Sequence, residues 1–149
     1  MGTISRNPLR SPDYSLYRVV TTDDDGTELT EKSSGINLIG YDKALVQVVP
    51  LSSVPDPIYD QSKFEAEFPS DGTDSAPAIE ILFWNEALQR FIAHIPAITG
   101  KVDGEDNEGV PFEMTVDVHG RAMFVQVTGI EDGQAVAIFV AGFGHEESI

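Results

Sequence analysis

The sequence predicts an all-β domain, an antiparallel two-sheet sandwich of jelly-roll type carrying an extended N-terminal arm. Three observations lead there. Phe112, Met114, Val116 and Val118 alternate with Glu113, Thr115, Asp117 and His119, a two-residue period that puts one set of side chains on each face of a strand. Short runs rich in Val, Ile and aromatic residues recur along the chain, separated by Gly, Pro and Asp turn residues. No stretch carries a convincing amphipathic helical pattern. Eight or nine short strands punctuated in this way describe a sandwich or barrel.

The elements follow in chain order. Residues 1–13 hold Pro8 and Pro12 with Arg6 and Arg10 and show no period, so they read as an extended arm. Twelve extended residues reach roughly 40 Å. Residues 14–144 form the sandwich. Tyr14 to Thr21 is a strand stopped by Asp23-Asp24-Asp25-Gly26, and Ile36 to Ile39 is a short apolar piece closed by Gly40. Lys43 to Val49 sets Ala44, Val46 and Val48 against Leu45, Gln47 and Val49, after which Pro50, Pro55 and Pro57 predict a loop. Gln61 to Phe68 fits either a half-buried strand or one or two helical turns. Ala78 to Trp84 is a strand, and Gln89 to Ile95 is its expected partner in a hairpin, although Asn85 to Phe91 also carries helix-favouring residues. Ala122 to Thr128 is a strand, Glu131-Asp132-Gly133 a tight turn, and Gln134 to Phe143 a strand apolar on both faces, expected at the centre of a sheet. Residues 145–149 read as a flexible tail.

Composition limits function. The 149 residues suffice for one domain with an ordinary core. There is no cysteine, which removes disulfides, thiolate metal sites and a cysteine nucleophile. No signal-peptide pattern or membrane-length apolar run is visible, so a soluble protein is expected. Net charge is −16, with residues 1–22 at +2 and the remainder at −18. A body this negative repels phosphates, so nucleic acid is not an expected partner.

Catalytic chemistry finds little to work with. His94 lies among apolar residues, His119 precedes Gly120 in a turn, and His145 is in the tail. They are 25 or more residues apart, and no serine sits in a Gly-x-Ser-x-Gly elbow. The expectation is a protein that is not an enzyme, with no catalytic residue, metal ligand or cofactor assigned. Asp103 to Gly109 is oxygen-rich like a calcium loop but has Glu108 where an EF-hand has glycine, and Asp23 to Asp25 is a second acidic segment. A solvated loop explains both without metal. Trp84 is core or interface, or an exposed sugar platform.

The proline-containing basic arm, the short strands with acidic loops, Glu80-Ile81-Leu82-Phe83-Trp84-Asn85-Glu86, Arg90-Phe91-Ile92 and Ala137-Ile138-Phe139-Val140-Ala141-Gly142-Phe143 together resemble the accessory β proteins of tailed-bacteriophage particles, the capsid decoration or cement type. The resemblance covers most of the chain as a style of organisation. It implies a structural protein of a virion assembled in the host cytoplasm, a homotrimer that binds capsid or other virion subunits, with Arg6 and Arg10 as partner-binding residues and no membrane partner. The alternative is a carbohydrate-binding jelly-roll module, with structural calcium in the loop from Asp103 to Gly109.

Overall fold

Just over half of the described residues lie in strands, and the pairing of those strands follows the expected fold. The computed structural model describes residues 14–22, 27–65, 78–101, 112–130 and 133–144. The arm at 1–13, the tail at 145–149 and the acidic segments 23–26 and 102–111 lie outside them, so the expectations placed there are not addressed by the fold. Among the described residues are nine strands: β1 (Ser15–Val20), β2 (Ile36–Asn37), β3 (Lys43–Leu51), β4 (Ala78–Asn85), β5 (Arg90–Ala93), β6 (Thr99–Lys101), β7 (Phe112–Asp117), β8 (Ala122–Thr128) and β9 (Ala135–Phe143). The first sheet runs β1-β9-β3-β7 and the second β2-β8-β4-β5, with β6 also on β4 and every pairing antiparallel. First therefore pairs with last, second with next to last, and so inward, which is the nested order of a jelly roll.

The two inner faces meet in one apolar core. Ala44, Val46 and Val48 of β3 alternate inward as their spacing requires, and Val136, Ile138 and Val140 of β9 lie beside them. Ile79, Ile81 and Phe83 of β4 and Met123 and Val125 of β8 face them from the other sheet. Each fully buried side chain of this size contributes about 1.5–3 kcal/mol by leaving water. Among the described residues no charged or polar side chain is fully buried.

Both outer faces are partly roofed, which explains why β9 is apolar on both sides. Val19, Leu51, Ala135 and Ala137 are buried behind the first sheet, where Ile58 and Phe64 pack on them, Phe64 edge-on to Phe139 at 6.3 Å. Behind the second sheet, Leu82, Phe91 and Phe124 are covered with Leu29 from two 3-10 turns at Thr27–Thr30 and Lys32–Ser34. Gly35 permits that approach, since a Cβ there would sit 2.7 Å from the Met123 carbonyl oxygen.

Two local expectations change and two open readings are settled. β3 continues through Pro50 to Leu51, because its pairing with β9 runs on past the proline to Leu51↔Ala135. Gln61–Lys63 is a single 3-10 turn, capped by the Asp60 carboxylate, which accepts from the Ser62 N–H at 3.0 Å; Ala66 to Phe68 lie outside the described residues. The partner of β4 stops at Ala93, two residues early. Five residues, His94 to Ile98, bulge out opposite Ile81 alone before β6 resumes the edge, and Ile81 N–H donates to the Ile98 carbonyl at 2.8 Å. The helical alternative at Asn85 to Phe91 is a hairpin turn, with Leu88 N–H bonded to the Asn85 side chain at 2.8 Å.

Candidate functional site

The antiparallel registers sort the connections between the two ends of the sandwich. Three short ones, 38–42, 86–89 and 118–121, close one end; the longer ones, 21–35, 52–77, 102–111 and 129–134, leave from the other. Charge follows this division. The four long connections contain 17 of the 25 acidic residues and two basic ones, whereas the short loops contain Asp42, Glu86 and Arg121. Strands β3 and β9 span nine residues each, about 30 Å at 3.3 Å per residue, and they separate the two ends.

The short-loop end is rigid and apolar at its tips. Val118 and His119 donate backbone N–H groups to the Asp42 carbonyl at 2.7 and 3.1 Å, and Gly120 donates to the Tyr41 carbonyl at 2.8 Å. His119 and Gly120 take positive φ of 48° and 72°, completing the tight turn expected from their order in the sequence. Ile39 is 73% exposed, Leu88 62%, Tyr41 39% and Phe143 37%. Outside this end, Val54, Tyr59 and Ile95 are also exposed, on the connection 52–77 and at the edge bulge.

Arg121 sits between this end and the core. Its guanidinium lies 3.7 Å from the Phe83 ring centroid, and its Nε donates to the Val118 carbonyl at 2.9 Å. Partial burial pulls its pKa below the usual arginine value. His94, just beyond β5, meets the same Phe83 ring edge-on at 6.2 Å, and its Nδ1 lies 2.9 Å from the Pro96 carbonyl oxygen. His94, His119 and Arg121 line a cavity of about 290 Å³. Among the described residues no three His, Asp or Glu side chains converge where a metal ion would be held.

A larger groove of about 630 Å³ opens where the short-loop end meets the outer face of the second sheet. Trp84 forms one wall, with Lys32, Asn37, Ile39, Glu86 and Arg121 around it. The indole is fixed on two sides: its ring stands edge-on to Phe91 at 5.0 Å, and its Nε1–H donates to Glu86 Oε2 at 3.1 Å. Lys32 Nζ donates to the same oxygen at 2.9 Å. The hydrogen bond and charge of Lys32 hold the Glu86 carboxyl below its ordinary range. Lys43 and Asp117 form a second ion pair nearby and lower the Asp117 carboxyl in the same way.

Of the residues singled out in the sequence, the fold brings Trp84, His94 and His119 to this end. Arg6, Arg10, His145 and the segment Asp103 to Gly109 lie outside the described residues. Ile39, Tyr41 and Leu88 were not anticipated as surface residues, although an isolated large apolar side chain inside a short turn is a signal the sequence does carry. Among the described residues no helix is long and apolar enough to cross a membrane. No family model, no curated protein and no solved structure matches this chain.

Proposed function

We propose that this protein is a non-catalytic structural component of a bacteriophage particle, a homotrimer that binds and stabilises a capsid or other virion lattice. The protomers meet through the short-loop end, and the arms with Arg6 and Arg10 strap onto neighbouring virion subunits, an arrangement completed in the particle assembled in the host cytoplasm. The observation that supports this reading is the uneven distribution of charged residues between the short and the long connections. A protomer of net charge −16 resists self-association through repulsion unless contact is made where the charge is low. The three short loops carry Asp42, Glu86 and Arg121 and expose Ile39, Tyr41 and Leu88, whereas most acidic residues belong to connections that start from the far ends of the strands. At physiological ionic strength the screening length is about 8 Å, so repulsion falls off steeply with distance from the contact.

A closed ring of three uses a heterologous contact, one patch against a different patch on the next copy, which Ile39 and Leu88 on separate loops can supply. Rim arginine pairs contribute about 0–1 kcal/mol each, so the apolar tips carry the affinity within the trimer, while arm exchange adds effective concentration. The double variant Ile39→Asp/Leu88→Asp tests the contact. It is expected to sediment as a monomer with the melting transition of a folded jelly roll. A variant that keeps the wild-type assembled mass contradicts the proposal.

A further inference from the structure

The groove beside Trp84 has a chemistry the assembly reading does not use. We infer that it is a binding site for a neutral saccharide, taking one sugar ring against the indole. Three features of the groove carry the inference. First, Trp84 presents a flat, half-buried aromatic wall whose orientation is fixed by Phe91, Glu86 and, through Glu86, Lys32. A rigid aromatic face of this kind packs against the C–H face of a pyranose at little entropic cost.

Second, the polar groups around it are of the kinds that pair with adjacent hydroxyls. The Asn37 side-chain oxygen accepts from Ile39 N–H at 3.0 Å, which orients the amide and leaves its N–H groups as donors. The Glu86 carboxylate is an acceptor, and Lys32 retains donors beyond the one it gives to Glu86. Third, the charges select against ions. Lys32 and Glu86 neutralise each other, the Arg121 guanidinium is engaged by Phe83 and by the Val118 carbonyl, and the field of a −16 protein disfavours an anionic ligand. A neutral, many-hydroxylated ring satisfies all three conditions. The groove volume of about 630 Å³ falls within the range of ligand clefts and leaves room for a second residue of an oligosaccharide.

The test uses the protein's own reporter, because Trp84 is the sole tryptophan. Trp84 emission is followed while the full chain is titrated with methyl glycosides of glucose, galactose, mannose and N-acetylglucosamine and with their short oligomers. Glucuronate and inorganic phosphate are the charged controls. Each titration is repeated on Leu88→Asp, so that a groove covered by assembly is distinguished from a groove that binds nothing. At least one neutral saccharide is expected to shift the emission saturably. Saturation-transfer NMR on that saccharide is expected to show binding lost in Trp84→Ala and weakened about tenfold in Asn37→Ala, with Asn37→Ala still melting in one cooperative transition. The inference is overturned if no saccharide responds in either protein, if only glucuronate or phosphate does, or if binding survives in Trp84→Ala.

Discussion

Tyr14, where the arm meets β1, donates its hydroxyl to Glu113 on β7 at 2.7 Å. The two residues belong to opposite edges of the first sheet, so the contact spans its width. Desolvation by burial, then the hydrogen bond and charge of Glu113, push the phenol up to about 12 from its model-compound value of 10.0. A raised pKa means that the folded state holds the proton longer than the unfolded chain. The contribution to stability is therefore complete below pH 10.0 and is lost as pH rises toward about 12. Phenolate absorbance is expected to show one tyrosine ionising near about 12, and Tyr14→Phe is expected to remove it together with that part of the alkaline stability loss. A titration in which Tyr14→Phe removes a phenol ionising near 10.0 contradicts the contact. Two glycines give a second residue-level comparison. A Cβ at Gly35 would meet the Met123 carbonyl oxygen at 2.7 Å and the Phe91 ring at 2.5 Å, whereas one at Gly142 would meet the Tyr41 ring at 2.7 Å. Backbone inside a paired strand has nowhere to go, but Tyr41 is 39% exposed and swings outward. Gly35→Ala is expected to cost about 1–3 kcal/mol in urea unfolding and Gly142→Ala less. The reverse order would mean that Tyr41 is held more firmly than its exposure implies.

Strand by strand, the chain is legible where burial is one-sided or complete, and less so where pairing alone makes the strand. β7 was readable from its alternation and β9 from its unbroken apolar run, because one has a solvated face and the other is central with both faces covered. β6 was not readable: Thr99-Gly100-Lys101 has little β character of its own and is a strand because it finishes the edge of β4. Pro50 misled for a related reason, since pairing with β9 carries β3 past the proline to Leu51 whatever the local preference. These differences are energetic as well as descriptive. Ile138, on the central strand and fully buried, is expected to cost about 2–5 kcal/mol when replaced by alanine. Ile95, at the tip of the edge bulge and almost fully exposed, is expected to cost within about 0.5 kcal/mol for the same change. Urea midpoints of the two variants compare them directly; similar losses would contradict the assignment of core and edge.

On the scale of the whole molecule, the jelly-roll order decides which connections share an end of the sandwich. Net charge and the crowding of acidic residues into the long connections were evident from the sequence, but that those connections start from one end of the strands is set by the topology. The groove has the same origin. Trp84 stood out as the single tryptophan, yet Lys32, Asn37, Glu86 and Arg121 come from four separate parts of the chain and meet only through the pairing of β2, β8 and β4. The most direct measurement of the assembly account is the mass of the purified wild-type protein by light scattering, at physiological salt and over a range of concentrations. The account predicts the mass of three 16.2 kDa chains, stable on dilution and unchanged by a calcium chelator. A mass of 16.2 kDa at every concentration would contradict it.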